Sequence, residues 1–326
     1  MDALTVEKFF KDNQKRLALI LLNSDAGFKR LIEEPDLHRP GLVLTGFVDV
    51  FTYNRVQIIG NTEATYLKTL TAAEEKRAFE TLLSFEIPCI IITENNETPP
   101  DLIARADEKG ICIFRTSFKT IRLVHLLSDY MDERFAPTVT VHGSMVDVYG
   151  IGMLFTGRSG IGKSEIALDL VERGHRLVAD DVVNISRKAE GILIATASDI
   201  LQHHMEIRGL GIVDVRQVFG IRAIRVQKRV EVIVQLEEWD DSEDYERLGI
   251  DESITKILDV EIPLVKLPIF PGKNITVIAE VVALNQLLKI YGYHPAKEFN
   301  ERLIKKMQEK GVDKNYLEDY LERDFE

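Results

Sequence analysis

The sequence predicts an α/β protein of two domains, and three observations carry that expectation. The 326-residue chain is long enough for about two cores. Residues 1 to about 130 alternate short apolar runs with polar, helix-like segments. In the second half, Gly157-Arg158-Ser159-Gly160-Ile161-Gly162-Lys163-Ser164 matches the phosphate-binding pattern G-x-x-x-x-G-K-[ST], with an apolar run before it and a helical pattern after it.

In the first half, Leu17 to Leu22, Val56 to Ile59, Ile87 to Ile92 and Ile111 to Phe114 read as short strands, each leading into a helix. That alternation predicts a small parallel sheet covered by helices. Thr71 and Glu74 form a capping box at the start of a helix ending near Ser84, and Pro100-Asp101 opens another that Gly110 closes. His38-Arg39-Pro40-Gly41 reads as a turn, with anion binding the lesser alternative. A helical pattern from Ser117 to about Arg134 (Ile121, Val124, Leu126, Leu127, Tyr130) runs into Pro137, which should end it. The boundary is placed there, giving 1–132 to an amino-terminal domain and 133–326 to a P-loop domain.

The second domain opens with two strands joined at His142-Gly143-Ser144 and a tight turn into the P-loop strand, an antiparallel start. The glycines let backbone N–H groups curl around an anion, and the helix that follows adds a partial positive charge. Lys163 should reach the outer phosphates, and Ser164 should place its hydroxyl on Mg²⁺. Leu177 to Val183 reads as a strand with Asp180 and Asp181 in its middle. Alternation allows one of them to face the phosphates but does not choose which.

Met205-Glu206-Ile207-Arg208-Gly209-Leu210-Gly211-Ile212-Val213-Asp214 mixes a carboxylate, an arginine and glycines, as suits a loop near a ligand. Glu206 is a candidate for the Mg²⁺ shell and Arg208 for phosphate. Lys228 to Trp239 reads as one strand, followed by the acidic run 240–246 and by Arg247, a candidate phosphate clamp. Pro268-Ile269-Phe270-Pro271-Gly272-Lys273 is a shaped loop with a charge at its tip. It precedes an apolar helix capped by Asn274 whose buried face is Ile275, Ile278, Ala279, Val282, Ala283 and Leu287. From Pro295 the chain reads as a charged amphipathic helix and an acidic tail.

Composition bounds the function. A net charge of −12 argues against nucleic acid as the partner, since that would want a basic face. No apolar run is long enough to span a membrane and no signal segment is seen, so a cytoplasmic protein is expected. Cys89 and Cys112 lie in apolar runs and read as buried reduced thiols. From the P-loop alone, a small-metabolite kinase and a nucleotide-gated regulator both remain open.

Taken together, His142-Gly143, the P-loop, Leu177-Val178-Ala179-Asp180-Asp181, the Met205–Gly211 segment and the Pro268–Lys273 loop closely resemble the bacterial HPr kinase/phosphorylase family, across essentially the whole chain. The resemblance implies a Mur-ligase-like amino-terminal domain with a regulatory or assembly role. It also implies a kinase domain similar to phosphoenolpyruvate carboxykinase, and a homohexamer. It implies ATP-dependent phosphorylation of a serine on the phosphocarrier HPr, and removal of that phosphate by inorganic phosphate with release of pyrophosphate, in control of carbon catabolite repression. By the same resemblance Asp181 is the general base, and the acid in reverse. His142, Lys163 and Arg247 are further active-site residues, and Ser164 and Glu206 are Mg²⁺ ligands. Met205, Arg208, Gly209, Gly211 and Asp214, with Pro268, Phe270, Pro271, Gly272 and Lys273, belong to loops tied to phosphorolysis. Fructose 1,6-bisphosphate is a candidate effector.

Overall fold

A computed structural model describes residues 3–188, 191–198, 200–239, 253–270 and 272–310, with side chains described up to residue 306. Arg247, Pro271, the acidic run 240–246 and the tail from Gly311 lie outside the described residues. The chain divides into two compact units, Met1–Ala136 and Pro137–Glu326.

The first unit runs β1 (Leu4–Thr5), α1 (Val6–Asn13), β2 (Ile20–Leu21), β3 (Leu31–Ile32), β4 (Leu37–His38), α2 (Gly41–Leu44), β5 (Val56–Ile59), α3 (Asn61–Thr69), α4 (Ala72–Leu83), β6 (Cys89–Ile92), α5 (Pro100–Glu108), β7 (Cys112–Arg115) and α6 (Thr120–Phe135). Its main sheet has the order β2-β7-β6-β5-β4, with β4 to β7 parallel. Val56, Ile58, Ile91 and Phe114 pack on one face, and Ile59, Ile90, Ile92 and Ile113 on the other. Both faces are covered, so β6 is apolar throughout rather than alternating, and in β5 the buried Gln57 donates to the Thr52 and Arg55 carbonyls.

Three expectations for this unit need correction. The run Leu17 to Leu22 shrinks to Ile20–Leu21, because the backbone turns at Ala18 with φ 48° and Leu17 is used as a buried plug instead. Strand β2 pairs antiparallel with β7, so the sheet is mixed at that edge, and no helix follows β2. On α6 the buried stripe is Leu123, Leu127 and Met131, with Val124, Leu126 and Tyr130 flanking it, while Ile121 faces solvent.

The predicted capping box is present. The Thr71 hydroxyl accepts from the Glu74 N–H, and the Glu74 carboxylate accepts from the Thr71 N–H at 2.9 Å. Thr71→Ala is expected to lower stability by about 1 kcal/mol in chemical denaturation of the full chain, and an unmoved midpoint would refute this. In the His38–Gly41 turn, Arg39 is spent internally. It donates at 2.7 Å to buried Glu63, which also accepts from the Gly60 N–H. Cys89 and Cys112 are register partners on β6 and β7, free and buried as expected. Burial pushes the Cys89 thiol far above its usual range and the Cys112 thiol up to about 11, so neither is a reactive thiolate at neutral pH.

The second unit runs β8 (Thr138–His142), β9 (Ser144–Val148), β10 (Ile151–Thr156), α7 (Lys163–Glu172), β11 (Arg176–Ala179), β12 (Val182–Lys188), β13 (Ile192–Ala197), β14 (His204–Ile207), β15 (Gly211–Asp214), α8 (Val215–Phe219), β16 (Gln227–Arg229), β17 (Val232–Glu238), β18 (Ile254–Ile257), β19 (Val260–Ile269), α9 (Ile275–Ile290) and α10 (Pro295–Lys310). Among the described residues, one sheet has the order β11-β9-β10-β17-β19-β18 and a second has β16-β13-β12-β8. The first packs on α7 and α9 through Phe155, Val234, Ile166, Leu170, Ala279 and Ala283. The face of α9 and its Asn274 cap are as predicted. No described helix alone is long and apolar enough to cross a membrane.

Here too the chain breaks where the sequence suggested continuity. Strands β8 and β9 do not pair with each other. At Gly143 the chain leaves the second sheet, where β8 pairs with β12, and enters the first, where β9 pairs with β10 and β11. The predicted strand Leu177–Val183 is interrupted at Asp180-Asp181, because Asp181 is left-handed with φ 63°. The segment Lys228–Trp239 divides into β16 and β17, one in each sheet. The Met205–Asp214 segment is an antiparallel hairpin rather than an irregular loop, and Pro268 and Ile269 complete β19.

Candidate active site

The first sheet of the second unit concentrates its chemistry on one edge. Strands β10, β17 and β19 are parallel, so their last residues, Thr156, Glu238 and Ile269, lie on the same side. Strand β9 is antiparallel to β10 with Ser144 opposite Phe155, and β11 is antiparallel to β9. The start of β9 and the end of β11 therefore reach that edge as well. His142-Gly143-Ser144, Gly157–Ser164, Asp180-Asp181 and the Phe270 loop all meet there, as ligand sites in open α/β sheets do.

The P-loop follows β10 as predicted. Gly157 has φ 141°, and a Cβ there would lie 2.6 Å from the Leu236 carbonyl oxygen, so the neighbouring strand admits only glycine. Gly162 is the N-cap residue of α7, whose buried face is Ile166, Ala167, Leu170 and Val171. Lys163 curls back, its Nζ donating to the carbonyls of Gly157 at 3.1 Å and Arg158 at 3.0 Å. Arg158 pairs with Glu238, the last residue of β17.

The two aspartates occupy different environments. Asp180 is buried, and its Oδ1 accepts from Ser164 Oγ at 3.1 Å and from Ser144 Oγ at 2.5 Å. Burial holds its carboxyl above the usual carboxylate range against the pull of those hydroxyls, and its Oδ2 is buried without a hydrogen-bond partner. Asp181, turned the other way by its left-handed backbone, has a side chain 62% exposed with Oδ1 at 4.0 Å from His142 Nδ1. The His142 side chain is 81% exposed, and its strand partner is Val182. Asp180 is thus fixed beside the P-loop serine, while Asp181 and His142 form an accessible pair.

The hairpin β14–β15 is seated through Met205, which is buried in the core that includes α7. Its turn brings Arg208 against the P-loop, with Nη2 at 3.4 Å from Ser159 Oγ. A Cβ on Gly160 would meet the Arg208 guanidinium at 2.6 Å. Glu206 is exposed on β14 opposite Ile212, and Gly209 and Gly211 shape the turn with positive φ. Asp214 caps α8, accepting from the Gln217 N–H at 3.0 Å. In the last loop Lys273 lies over the Phe270 ring at 5.1 Å and donates to the Pro268 carbonyl at 3.4 Å, and Gly272 has φ 89°. The Phe270 ring meets Trp239 edge-on at 5.2 Å. Arg247 and Pro271 lie outside the described residues. Ser144, Glu238 and Trp239 were not singled out as site residues by sequence reasoning.

No described group of three or more His, Cys, Asp or Glu side chains is arranged to hold a metal ion. Asp180, whose Oδ1 accepts from Ser164 and whose Oδ2 is buried without a partner, nevertheless offers an oxygen acceptor of the kind a hard cation takes.

The family described as "HPr Serine kinase N terminus" matches residues 4–131, and "HPr Serine kinase C-terminal domain" matches residues 133–303. The chain belongs to the HPr serine kinase family. Within that family it is 51% identical to a Chloroherpeton thalassium protein named HPr kinase/phosphorylase, the match covering 99% of this chain and 97% of that one. A protein of the same name from Prosthecochloris aestuarii is 53% identical over 98% of this chain and 97% of its own length. The solved Hpr(Ser) kinase/phosphatase of Coxiella burnetii, 31% identical, covers 50% of this chain and 99% of its own, with a TM-score of 0.45. The sequence-based family resemblance and the α/β class are thereby borne out.

Proposed function

We propose that this member of the HPr serine kinase family is a bifunctional enzyme. In one direction it transfers the γ-phosphoryl group of ATP to a serine of HPr. In the other it uses inorganic phosphate to remove that group as pyrophosphate, and the balance serves carbon catabolite repression. The observation that carries the reading is the meeting of a P-loop, a fixed carboxylate and an exposed carboxylate–histidine pair on one sheet edge.

In the forward step the serine Oγ bonds to the γ-phosphorus as the bond to the ADP oxygen breaks, and Asp181 takes the serine proton. In reverse a phosphate oxygen attacks the phosphoserine phosphorus, the bond to serine breaks, and Asp181 returns the proton to the serine oxygen. His142 stands where it can orient Asp181. Lys163, once released from the Gly157 and Arg158 carbonyls, neutralises phosphate charge, and Arg208, 3.4 Å from the P-loop Ser159, assists. Ser164 and Glu206, with Asp180 behind Ser164, would hold Mg²⁺, which supplies charge neutralisation between the outer phosphates. Arg247 and the Pro268–Lys273 loop are assigned to the active site and to phosphorolysis on family likeness. A homohexamer and a fructose 1,6-bisphosphate effector belong to the same reading.

The test is direct. Incubating the chain with Mg²⁺, radiolabelled ATP and purified HPr should place acid-stable label on an HPr serine, and excess inorganic phosphate should move that label into pyrophosphate. Nucleotide binding without label on HPr would overturn the reading in favour of a small-molecule kinase or a nucleotide-gated regulator.

A further inference from the structure

Ser144 opens β9 at the edge where the P-loop leaves β10, and its side chain is buried. Its backbone has little freedom there. Ser144 is the register partner of Phe155 on β10, and the Gly143 N–H donates to the Asp181 carbonyl at 3.1 Å. A Cβ on Gly143 would lie 2.5 Å from the Phe155 carbonyl oxygen, so the chain passes that point in close contact with β10. Main-chain contacts on both sides thus set where the Ser144 hydroxyl stands, with Asp180 Oδ1 as its acceptor at 2.5 Å.

Ser164 Oγ, from the first turn of α7, donates to the same oxygen at 3.1 Å. A serine hydroxyl has one proton and two lone pairs. With its proton committed to Asp180, Ser164 keeps its lone pairs free for a hard cation. That orientation lasts only while the carboxylate holds still. Asp180 is buried and its Oδ2 has no hydrogen-bond partner, so Oδ2 does nothing to fix the group. The other donors that favour the carboxylate are Ser164, the hydroxyl being oriented, and the amide of the adjacent Asp181. Ser144, 36 residues away in the chain, is the anchor supplied by a separate strand.

We propose, resting on the reading of Ser164 as a Mg²⁺ ligand, that Ser144 is a positioning residue: through Asp180 it fixes the direction of the Ser164 hydroxyl and so sets how tightly the P-loop site holds a divalent cation. The probe is Mn²⁺, which shares the oxygen preference of Mg²⁺. It is titrated into the full chain saturated with a non-hydrolysable ATP analogue, and the bound ion is read by electron paramagnetic resonance. Analogue binding in EDTA is measured by calorimetry. Ser144→Ala should weaken Mn²⁺ by about tenfold, the low end for losing a partner that orients a metal ligand, and leave analogue affinity in EDTA within about twofold. Ser144→Cys, close in size but a weak donor, should do the same. Ser144→Thr, which keeps the hydroxyl, should hold Mn²⁺ within about threefold of the parent. In an Asp180→Asn chain, adding Ser144→Ala should cost less than about twofold, since its route to Ser164 is already broken. Mn²⁺ affinity within about twofold of the parent in both Ser144→Ala and Ser144→Cys, an equal loss of analogue affinity in EDTA, or a full tenfold loss persisting in the Asp180→Asn chain would each overturn the proposal. Ser164→Ala tells two failures apart. Mn²⁺ affinity unmoved by that change as well would remove the metal role of Ser164 itself, whereas a loss in Ser164→Ala alone would remove only the role of Ser144.

Discussion

Asp181→Asn is expected to lower kcat for phosphoryl transfer to HPr by about 10²- to 10⁴-fold, the range for loss of a positioned general base, with nucleotide binding retained. Asparagine keeps the shape and the left-handed backbone that Asp181 adopts but cannot accept the serine proton. The same change at Asp180 should act differently. Asp180 is buried, tied to the Ser144 and Ser164 hydroxyls, and carries the unpartnered Oδ2. Asp180→Asn should therefore raise the Mg²⁺ concentration needed for half-maximal rate before it lowers kcat at saturation. Steady-state kinetics with Mg²⁺ varied at fixed ATP separates the two. If Asp180→Asn abolished turnover at every Mg²⁺ level while Asp181→Asn only shifted the Mg²⁺ requirement, the assignment of the two carboxylates would be reversed.

Gly152→Ala should be the most damaging single methyl group in the second unit. The added Cβ would lie 1.8 Å from the Arg229 carbonyl oxygen and under 3 Å from Met145 and Lys228 side-chain atoms. This is where the chain passes from β16 to β17, and Gly152 is held there by two bonds to Glu231. Its N–H donates to the Glu231 carboxylate at 2.7 Å, and its carbonyl accepts from the Glu231 N–H at 2.9 Å. Relief of the clash requires the crossover backbone to move, which strains the parallel β10–β17 pairing that carries the P-loop. Overpacking against a fixed backbone lies at or above the upper end of the usual range, about 3 kcal/mol. For a unit of this size that corresponds to a fall in Tm of about 6–12 °C. A calorimetric scan of the full chain showing Tm within about 2 °C of the parent would rule this out.

The sequence carried the parts of the fold that depend on local chemistry. The Thr71 box, the Asn274 cap, the P-loop with its strand and helix, and the apolar face of α9 all follow from residues within a turn or two of one another. What it did not carry was pairing. Strand β2 is too short to announce its direction, and β8 and β9 look like a hairpin because nothing local records that they belong to different sheets. The Asp180–Asp181 pair shows the cost of that gap most clearly. Alternation along a strand was the wrong rule there, because one left-handed residue interrupts the strand and sends the two carboxylates into separate environments. No pattern in the sequence marked Ser144 as the second hydroxyl on Asp180, since that contact spans 36 residues.

The rest position of Lys163 bears on how the site exchanges its contents. With its ammonium already bonded to two loop carbonyls, the lysine gives up those contacts when phosphates arrive, so occupancy brings a trade rather than a net addition. That trade favours exchange over tight retention. Under the proposed function, in which ATP and inorganic phosphate enter one cradle by turns, quick turnover of occupants would serve better than a deep grip on any one of them.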